Sequence, residues 1–397
     1  MKIKFISLVH HIFNGKGHEI PYQISMSKAV VANGWEFIPI ISPDPVVKLF
    51  PVEWGNPIFI SHGILDQPGD VIMWHIKKIN FIIFFRAIKK LRDDLLRALN
   101  ALSASDSVIF FESFNPFQLL SILLAIHACN NKDKISLWLL FRGGPNWGGG
   151  NFKLISYGFS YSFKMLLFVF RKLNIKLKVS YFTDSEILVE ELSKFYGVDV
   201  KILPIPHADL PIKISEPIKT DKEFIKVWWP GTPRVEKGSK IIQSFIENEA
   251  PEQDNIILLS SQTNLVDFSL SKVRVEVLEN NIPNDKYQNL FHESDVIILP
   301  YDRGIYNEST SGIFTEAIFA SKITMVTEGT WMSSEYKRYG INELSFNWIE
   351  IDISKKINEI KSNKFLIEKI KLMSNAYREF HSVHNFAQCI KNYYYLA

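Results

Sequence analysis

The chain has 397 residues and a mass of 45.9 kDa, more than one ordinary hydrophobic core encloses, so two domains are expected. With 47% hydrophobic and 22% charged residues it reads as a folded protein, and a net charge of +3 argues against wholesale nucleic-acid binding. Two cysteines, Cys129 and Cys389, in no metal or redox spacing exclude a disulfide framework and fit a reducing compartment. The opening apolar run breaks at His10, too early for a signal peptide. No stretch reaches the roughly 18 uninterrupted apolar residues of a spanning helix. The expected location is the cytoplasm, with peripheral contact at the inner face of the cell membrane as an open extension.

Taken in chain order, "IKFISLV" predicts a strand, "NGKGHE" a glycine-containing loop, "IPYQISMSKAVVANGW" a helix and "EFIPIIS" a second strand. The alternation recurs in "DSVIFFES" and "PFQLLSILLAIHACN". "ISLWLLF" then leads into a glycine-dense loop, and "VSYFTDS" into "EILVEELSKFYG". Apolar strands alternating with helices imply a parallel sheet covered on both faces. A second series begins near Phe224 with "FIKVWWPG", "SKIIQSFIENE", "NIILLSS" and "VRVEVLE". It continues through "NDKYQNLFHES", "DVIILPY", "GIFTEAIFAS" and "ITMVTEG". The proline-rich "ILPIPHADLPIKISEPIK" between the series has no periodicity and reads as the linker. This places an N-terminal domain at 1–211, a second domain at 212–374, and a terminal helix at 375–397 packing back on the first domain. The fold class is α/β: two Rossmann-like, doubly wound domains facing a cleft. In such sheets ligands bind at the carboxyl ends of the strands.

The stretch "YNESTSGIFTEAIFASK" follows a strand of the second domain and sets Glu308 and Glu316 eight positions apart. Gly312 opens a helix, with Ser309, Thr310 or Ser311 as its cap. Free amides and the helix dipole at such a start suit a phosphate. Glu316, about one turn inside, could accept hydrogen bonds from vicinal hydroxyls, and Glu308 could reach a group on the other side of the phosphates. On spacing alone, a solvated first-turn acid and an ordinary loop acid remain an equal alternative. Upstream, "VWWPGTPRVEKGSK" places Arg234 and Lys237 in the loop after the domain's first strand, where they could neutralise a diphosphate. Gly231 and Gly238 there permit close backbone approach.

These residues together resemble a family. The strand ending in Gly231, with Lys237 and Gly238 six and seven residues on, is similar to the second half of retaining GT-B glycosyltransferases of the large family 4 type. So is the helix and strand "NDKYQNLFHESDVIILPY" leading to Glu308 and Glu316. "NGKGHEIPYQISMSKAVVANGWEF" resembles the glycine-rich first loop and helix of these enzymes, and "YFTDSEILVEELSKFYGVDVKILPIPHAD" the stretch entering their linker. The resemblance runs from Lys2 to about Gly329. It implies a glycosyltransferase moving a sugar from a nucleotide donor, UDP- or GDP-linked, to a glycan or lipid-linked acceptor, with retention and without a metal. Surface polysaccharide synthesis of the bacterial type, such as that of lipopolysaccharide, is the implied setting. It assigns Glu308, Lys237 and Arg234 to catalysis. Glu316, Ser311, Gly312, Ile313, Gly231, Thr232, Gly15 and Gly17 would bind the donor, and the first domain would hold the acceptor. The chain departs from the family at Thr232, where an arginine is usual. It departs again at Glu112, Ser113 and Asn115, where a histidine is often found, and in "STSGIFT", which is usually richer in glycine. No cofactor is implied beyond the donor, and no D-x-D motif points to a metal-dependent alternative.

In the first domain, "FRGGPNWGGGN" presents Arg142 and Trp147, candidates to meet an acceptor's phosphate and sugar; a loose turn with a buried tryptophan is the equal alternative. Glu112 is a candidate base or acceptor contact, with capping of "NPFQLLSILLA" as the blander role, and His18 lies beside the first loop. "WHIKKINFIIFFRAIKKLRDDLLRALN" and "KLISYGFSYSFKMLLFVFRKLNIKLK" mix cations with bulky apolar residues, as suits an anionic membrane surface or an amphipathic helix with a solvated basic face. A GT-B sugar-nucleotide epimerase and an inactive GT-B scaffold are the competing functions.

Overall fold

The computed structural model describes residues 2–9, 19–41, 54, 57–61, 63–66, 81–102, 105–112, 114–145, 151–173, 177–206, 224–248, 255–280, 282–349 and 351–396. The chain divides into two compact units: unit 1, Met1–His207 with Val383–Ala397, and unit 2, Ala208–Ser382.

Unit 1 runs β1 (Lys4–Val9), α1 (Glu19–Ala32), β2 (Glu36–Ile41), β3 (Ile58–Phe59), α2 (Phe81–Leu102) and β4 (Ser107–Glu112). It continues with α3 (Pro116–Ala128), β5 (Ile135–Phe141), α4 (Asn151–Lys172), β6 (Lys178–Thr183), α5 (Glu186–Tyr196) and β7 (Val200–Ile202). All neighbouring strands are parallel, in the order β3-β2-β1-β4-β5-β6-β7. The near-continuous apolar strands follow from this: β4 and β5 are buried at every position. Alternate residues serve opposite faces. Ile109, Phe111, Leu137 and Leu139 pack under α2, α3, α4 and α5, while Phe5, Val108, Phe110, Trp138, Leu140 and Phe182 pack under α1.

Unit 2 runs β8 (Ile225–Trp229), α6 (Ser239–Asn248), β9 (Ile256–Ser261), β10 (Arg274–Leu278), α7 (Asn284–Glu293), β11 (Val296–Leu299), α8 (Arg303–Tyr306) and α9 (Gly312–Phe319). Then follow β12 (Ile323–Thr327), α10 (Trp331–Arg338), β13 (Ser345–Phe346), α11 (Ile353–Ser362) and α12 (Lys364–Phe380). Its parallel sheet has the order β10-β9-β8-β11-β12-β13. Strand order reverses between β8 and β11 here, and between β1 and β4 in unit 1. Loops leaving such a pair diverge to opposite faces and open a crevice at the carboxyl edge.

The last helix, α13 (Val383–Leu396), belongs to unit 1. Phe386, Ala387 and Ile390 join the core beside α1, Asn33 Nδ2 donates to the Ala387 carbonyl at 2.7 Å, and the Tyr393 hydroxyl donates to the Ile202 carbonyl at 3.1 Å. The sequence pattern places the start of this segment at 375; α12 runs unbroken through that position, because Ile370, Met373 and Tyr377 fill the core of unit 2, and the chain rejoins unit 1 at Val383. The linker boundary near 211 lies outside the described residues. Phe386 is fully buried and its ring meets Tyr22 at 6.4 Å. Phe386→Ala should therefore destabilise the protein by about 3–5 kcal/mol, read as a lowered urea midpoint.

Candidate functional site

The crevice of unit 2 is built by the loops after β8 and β11. A 3-10 turn, Val235–Lys237, ends at Gly238 in the left-handed region (φ 88°). A Cβ on Gly238 would lie 2.1 Å from the Pro300 carbonyl oxygen, so no other residue fits there without displacing the loop after β11. The Asp302 amide donates to the Glu236 carbonyl at 2.8 Å, and the Trp229 indole donates to the Lys237 carbonyl at 3.1 Å. These contacts carry the Lys237 side chain inward.

Lys237 is only 9% exposed. Its ammonium sits 5.6 Å from the centre of the Tyr301 ring, and among the described residues no carboxylate pairs with it. Burial, reinforced by the Arg234 charge and opposed by Glu236, pulls its pKa from 10.5 to about 8. Gly231, also left-handed (φ 84°), leaves a gap that a Cβ would fill, 3.0 Å from Lys237 Nζ and 3.1 Å from Ile313 Cδ1. Lys237, Gly231 and the start of α9 thus converge. Ser311 caps α9, its hydroxyl accepting from the Phe314 amide at 3.2 Å and sharing a hydrogen bond with the Tyr301 hydroxyl. The amides of Gly312 and Ile313 have no acceptor among the described residues. Arg234 is exposed and faces Glu236 at 3.3 Å, and Thr232 is exposed in the same loop.

Glu316 is 4% exposed and accepts from the Tyr287 hydroxyl at 2.7 Å. Burial raises its pKa to about 7, less than it otherwise would because of that bond. Trp228 and Phe291 pack edge-on around Tyr287 and fix its ring. Glu308 is half-buried in the loop and accepts from Asn307 Nδ2 at 3.1 Å.

At the carboxyl edge of unit 1 lies a second cluster. Arg142 follows the last residue of β5 and donates to Glu112, at the end of β4, and to Asp184, just past β6, each at 2.7 Å. Parallel register and alternation place all three on one face, in line with Phe110, Leu140 and Phe182. The Tyr22 ring lies 4.8 Å from the guanidinium. Gln23 donates to Glu112 at 3.0 Å and accepts from the Ser7 hydroxyl at 2.8 Å. Burial alone would lower the Arg142 pKa, but Glu112 and Asp184 more than reverse this and hold it charged.

One expectation is corrected here. Glu112 does not cap α3. Asn115 does, accepting from the Phe117 and Gln118 amides while Gln118 reaches back, and Glu112 is taken up by Arg142 and Gln23. Arg142 is held by two carboxylates and its side chain stays 31% exposed. Gly15, Gly17, His18 and Trp147 lie outside the described residues. Tyr22, Gln23, Ser7 and Asp184 in unit 1, and Tyr301, Tyr287 and Trp229 in unit 2, were not singled out from sequence. Strand parity with Glu112 and Arg142 was the available signal for Asp184.

Two doubly wound parallel units of this kind are those of the GT-B fold. No protein-family model and no curated protein matches the chain. Among solved structures it is similar to the trehalose-6-phosphate protein of E. coli bound with UDP-2-fluoro glucose (TM-score 0.63, 11% identity, 98% of each chain covered). It is likewise similar to sucrose-phosphate synthase from Thermosynechococcus elongatus (0.63, 12%, 100% of this chain and 99% of that). The glycosyltransferase SnogD from Streptomyces nogalater is a third (0.57, 13%, 99% of each). At these identities the likeness establishes the fold.

The Lys237 pKa makes the site visible as a stability effect. A depression of that size disfavours the charged folded form by roughly 3 kcal/mol. The unfolded chain holds the proton between about 8 and 10.5 while the folded chain does not, so stability rises with pH across that window. Lys237→Met should raise the melting temperature at pH 7 by a few degrees, with the gain shrinking toward pH 10.5. Arg142→Met, which leaves two buried carboxylates facing one another, should destabilise by about 3–5 kcal/mol in a denaturation titration.

Proposed function

We propose that the protein is a glycosyltransferase whose unit 2 binds a nucleoside diphosphate sugar. The observation that carries this reading is the Lys237 ammonium, nine-tenths buried and without a carboxylate partner among the described residues, at the point where strand order reverses. A buried cation of that kind is disfavoured until an anion arrives. The start of α9 beside it offers amides and a positive dipole end, and a diphosphate answers both. Lys237, Arg234 and the amides of Gly312 and Ile313 would bear the charge that builds on the departing diphosphate, the largest electrostatic demand of the reaction. Ser311 holds that helix start in place. Gly231 and Thr232 let the loop approach the phosphates, and the first-loop Gly15 and Gly17 are assigned to the same donor. Glu316 accepts from the ribose hydroxyls and Glu308 from the transferred sugar. In its finer form the reading is a retaining, metal-independent transfer from a UDP- or GDP-sugar. The acceptor is a glycan or lipid-linked saccharide on unit 1, near Glu112 and Arg142, as in surface polysaccharide synthesis.

Donor affinity should peak between about pH 7 and 8. A diphosphate favours the charged Lys237, which is lost above about 8, and ribose hydroxyls favour the charged Glu316, which is lost below about 7. A thermal-shift and calorimetry screen with UDP-, GDP-, dTDP- and CMP-sugars reads this directly. Lys237→Met should lower affinity roughly 10- to 100-fold and abolish the alkaline limb, and Glu316→Gln should abolish the acid limb. Wild-type binding by Lys237→Met would remove the basis of the assignment. Donor turnover without an acceptor would favour an epimerase, and neither binding nor turnover a scaffold.

A further inference from the structure

The two cationic, aromatic stretches of unit 1 behave differently once folded. In α2 the buried stripe Phe84, Ile88, Leu91, Leu95 and Leu99 faces the core, and the polar side carries acids among its bases: Arg92 pairs with Asp93 and Arg97 with Asp94. The amino end of α2 also leaves Ile82, Ile83 and Phe85 exposed, but acids interrupt the cations of its polar side. Helix α4 has no such acids. Its buried stripe is Phe163, Leu167 and Phe170, and it carries a second apolar stripe on the opposite side. Met165 (59% exposed), Phe168 (54%), Val169 and, just past the helix, Leu173 (63%) face outward.

No aspartate or glutamate occurs in α4, and no carboxylate pairs with Lys164, Arg171 or Lys172 among the described residues. The charged ends of these cations rest on rings rather than on acids: Lys164 Nζ over Phe195 at 4.9 Å, the Arg171 guanidinium over Tyr181 at 5.3 Å, Lys172 Nζ over Phe168 at 5.7 Å. Beside the stripe opens a cavity of about 320 Å³, walled by Met165, Leu167, Phe168, Tyr181, Tyr196 and Val198, with Lys164 and Arg171 at its lining.

We propose that this face of α4 docks onto an anionic lipid bilayer. Exposed apolar side chains flanked by uncompensated cations on one helix face match an interfacial membrane contact. The long basic side chains can lie along apolar surface while their charges reach lipid phosphates. The cavity gives an acyl chain a place to enter beneath Phe168. A second copy of the same face is a poor occupant, because self-pairing would bring the unpaired cations of both copies together. No described helix is long and apolar enough to cross a membrane, so the contact is peripheral. This surface lies on unit 1 and stands or falls separately from the donor site of unit 2.

The test is flotation of the full chain with vesicles of phosphatidylglycerol mixed with phosphatidylcholine, against phosphatidylcholine alone. Neither turnover nor a donor is needed. The wild type should float with the anionic vesicles at low salt and be released on the order of 0.5 M salt. Lys164→Glu with Lys172→Glu should cut the bound fraction roughly tenfold or more, and Met165→Ser with Phe168→Ser should do likewise, while both pairs keep the wild-type melting temperature. Absence of wild-type flotation overturns the proposal, as does equal flotation by the folded variants. So does a dimer in analytical ultracentrifugation that only the apolar pair abolishes, with vesicle binding unchanged.

Discussion

An ammonium group carried into a protein interior is a standing electrostatic penalty unless a carboxylate meets it, and among the described residues of unit 2 no carboxylate pairs with Lys237. The Trp229 indole pins the Lys237 carbonyl, Gly238 admits the Pro300 strand end at a distance no side chain tolerates, and the Glu236–Asp302 backbone bond ties the two loops. Each holds the lysine where burial depresses its pKa. Partial compensation comes from the Glu236 charge and from the face of Tyr301, the latter worth about 1–2 kcal/mol. A fold that only needed stability would place a methionine there. Among the described residues no carboxylate pairs with this ammonium to offset the penalty.

The carboxyl edge of unit 1 follows the opposite logic. Glu112 and Asp184 both pair with Arg142, and Gln23, Ser7 and Tyr22 extend the cluster. Such networks fix geometry more than they add stability. Tyr22 also touches Phe386 of α13, so the arrangement of that edge leans on a helix from the far end of the sequence.

Sequence patterns revealed the parts of the fold that depend on local periodicity. The apolar runs of β1, β2, β4, β5, β6, β8, β9, β11 and β12 and their intervening helices fall where the alternation places them. The segment holding α10 and β13 was not read, since "WMSSEYKR" has a weak apolar stripe and β13 is two residues long. In the site, glycine and lysine spacing was legible because left-handed turns and loop cations leave a residue-type mark. What spacing does not carry is the state of those groups. That Glu316 is sealed behind Tyr287, or that Arg142 is already occupied, depends on strand order and on partners 29 to 42 residues away.

The terminal helix has a consequence for how the molecule is assembled. Unit 1 is closed by residues synthesised after the whole of unit 2, so one of its faces stays uncovered while some 175 intervening positions emerge. Unit 2 is contiguous and has all its own strands before α13 appears. The amino-terminal unit therefore gains its last element only after all of unit 2 has been made. Until α13 docks, Tyr22, Trp35 and Phe182 lack the ring contacts that Phe386, Tyr394 and Tyr393 supply.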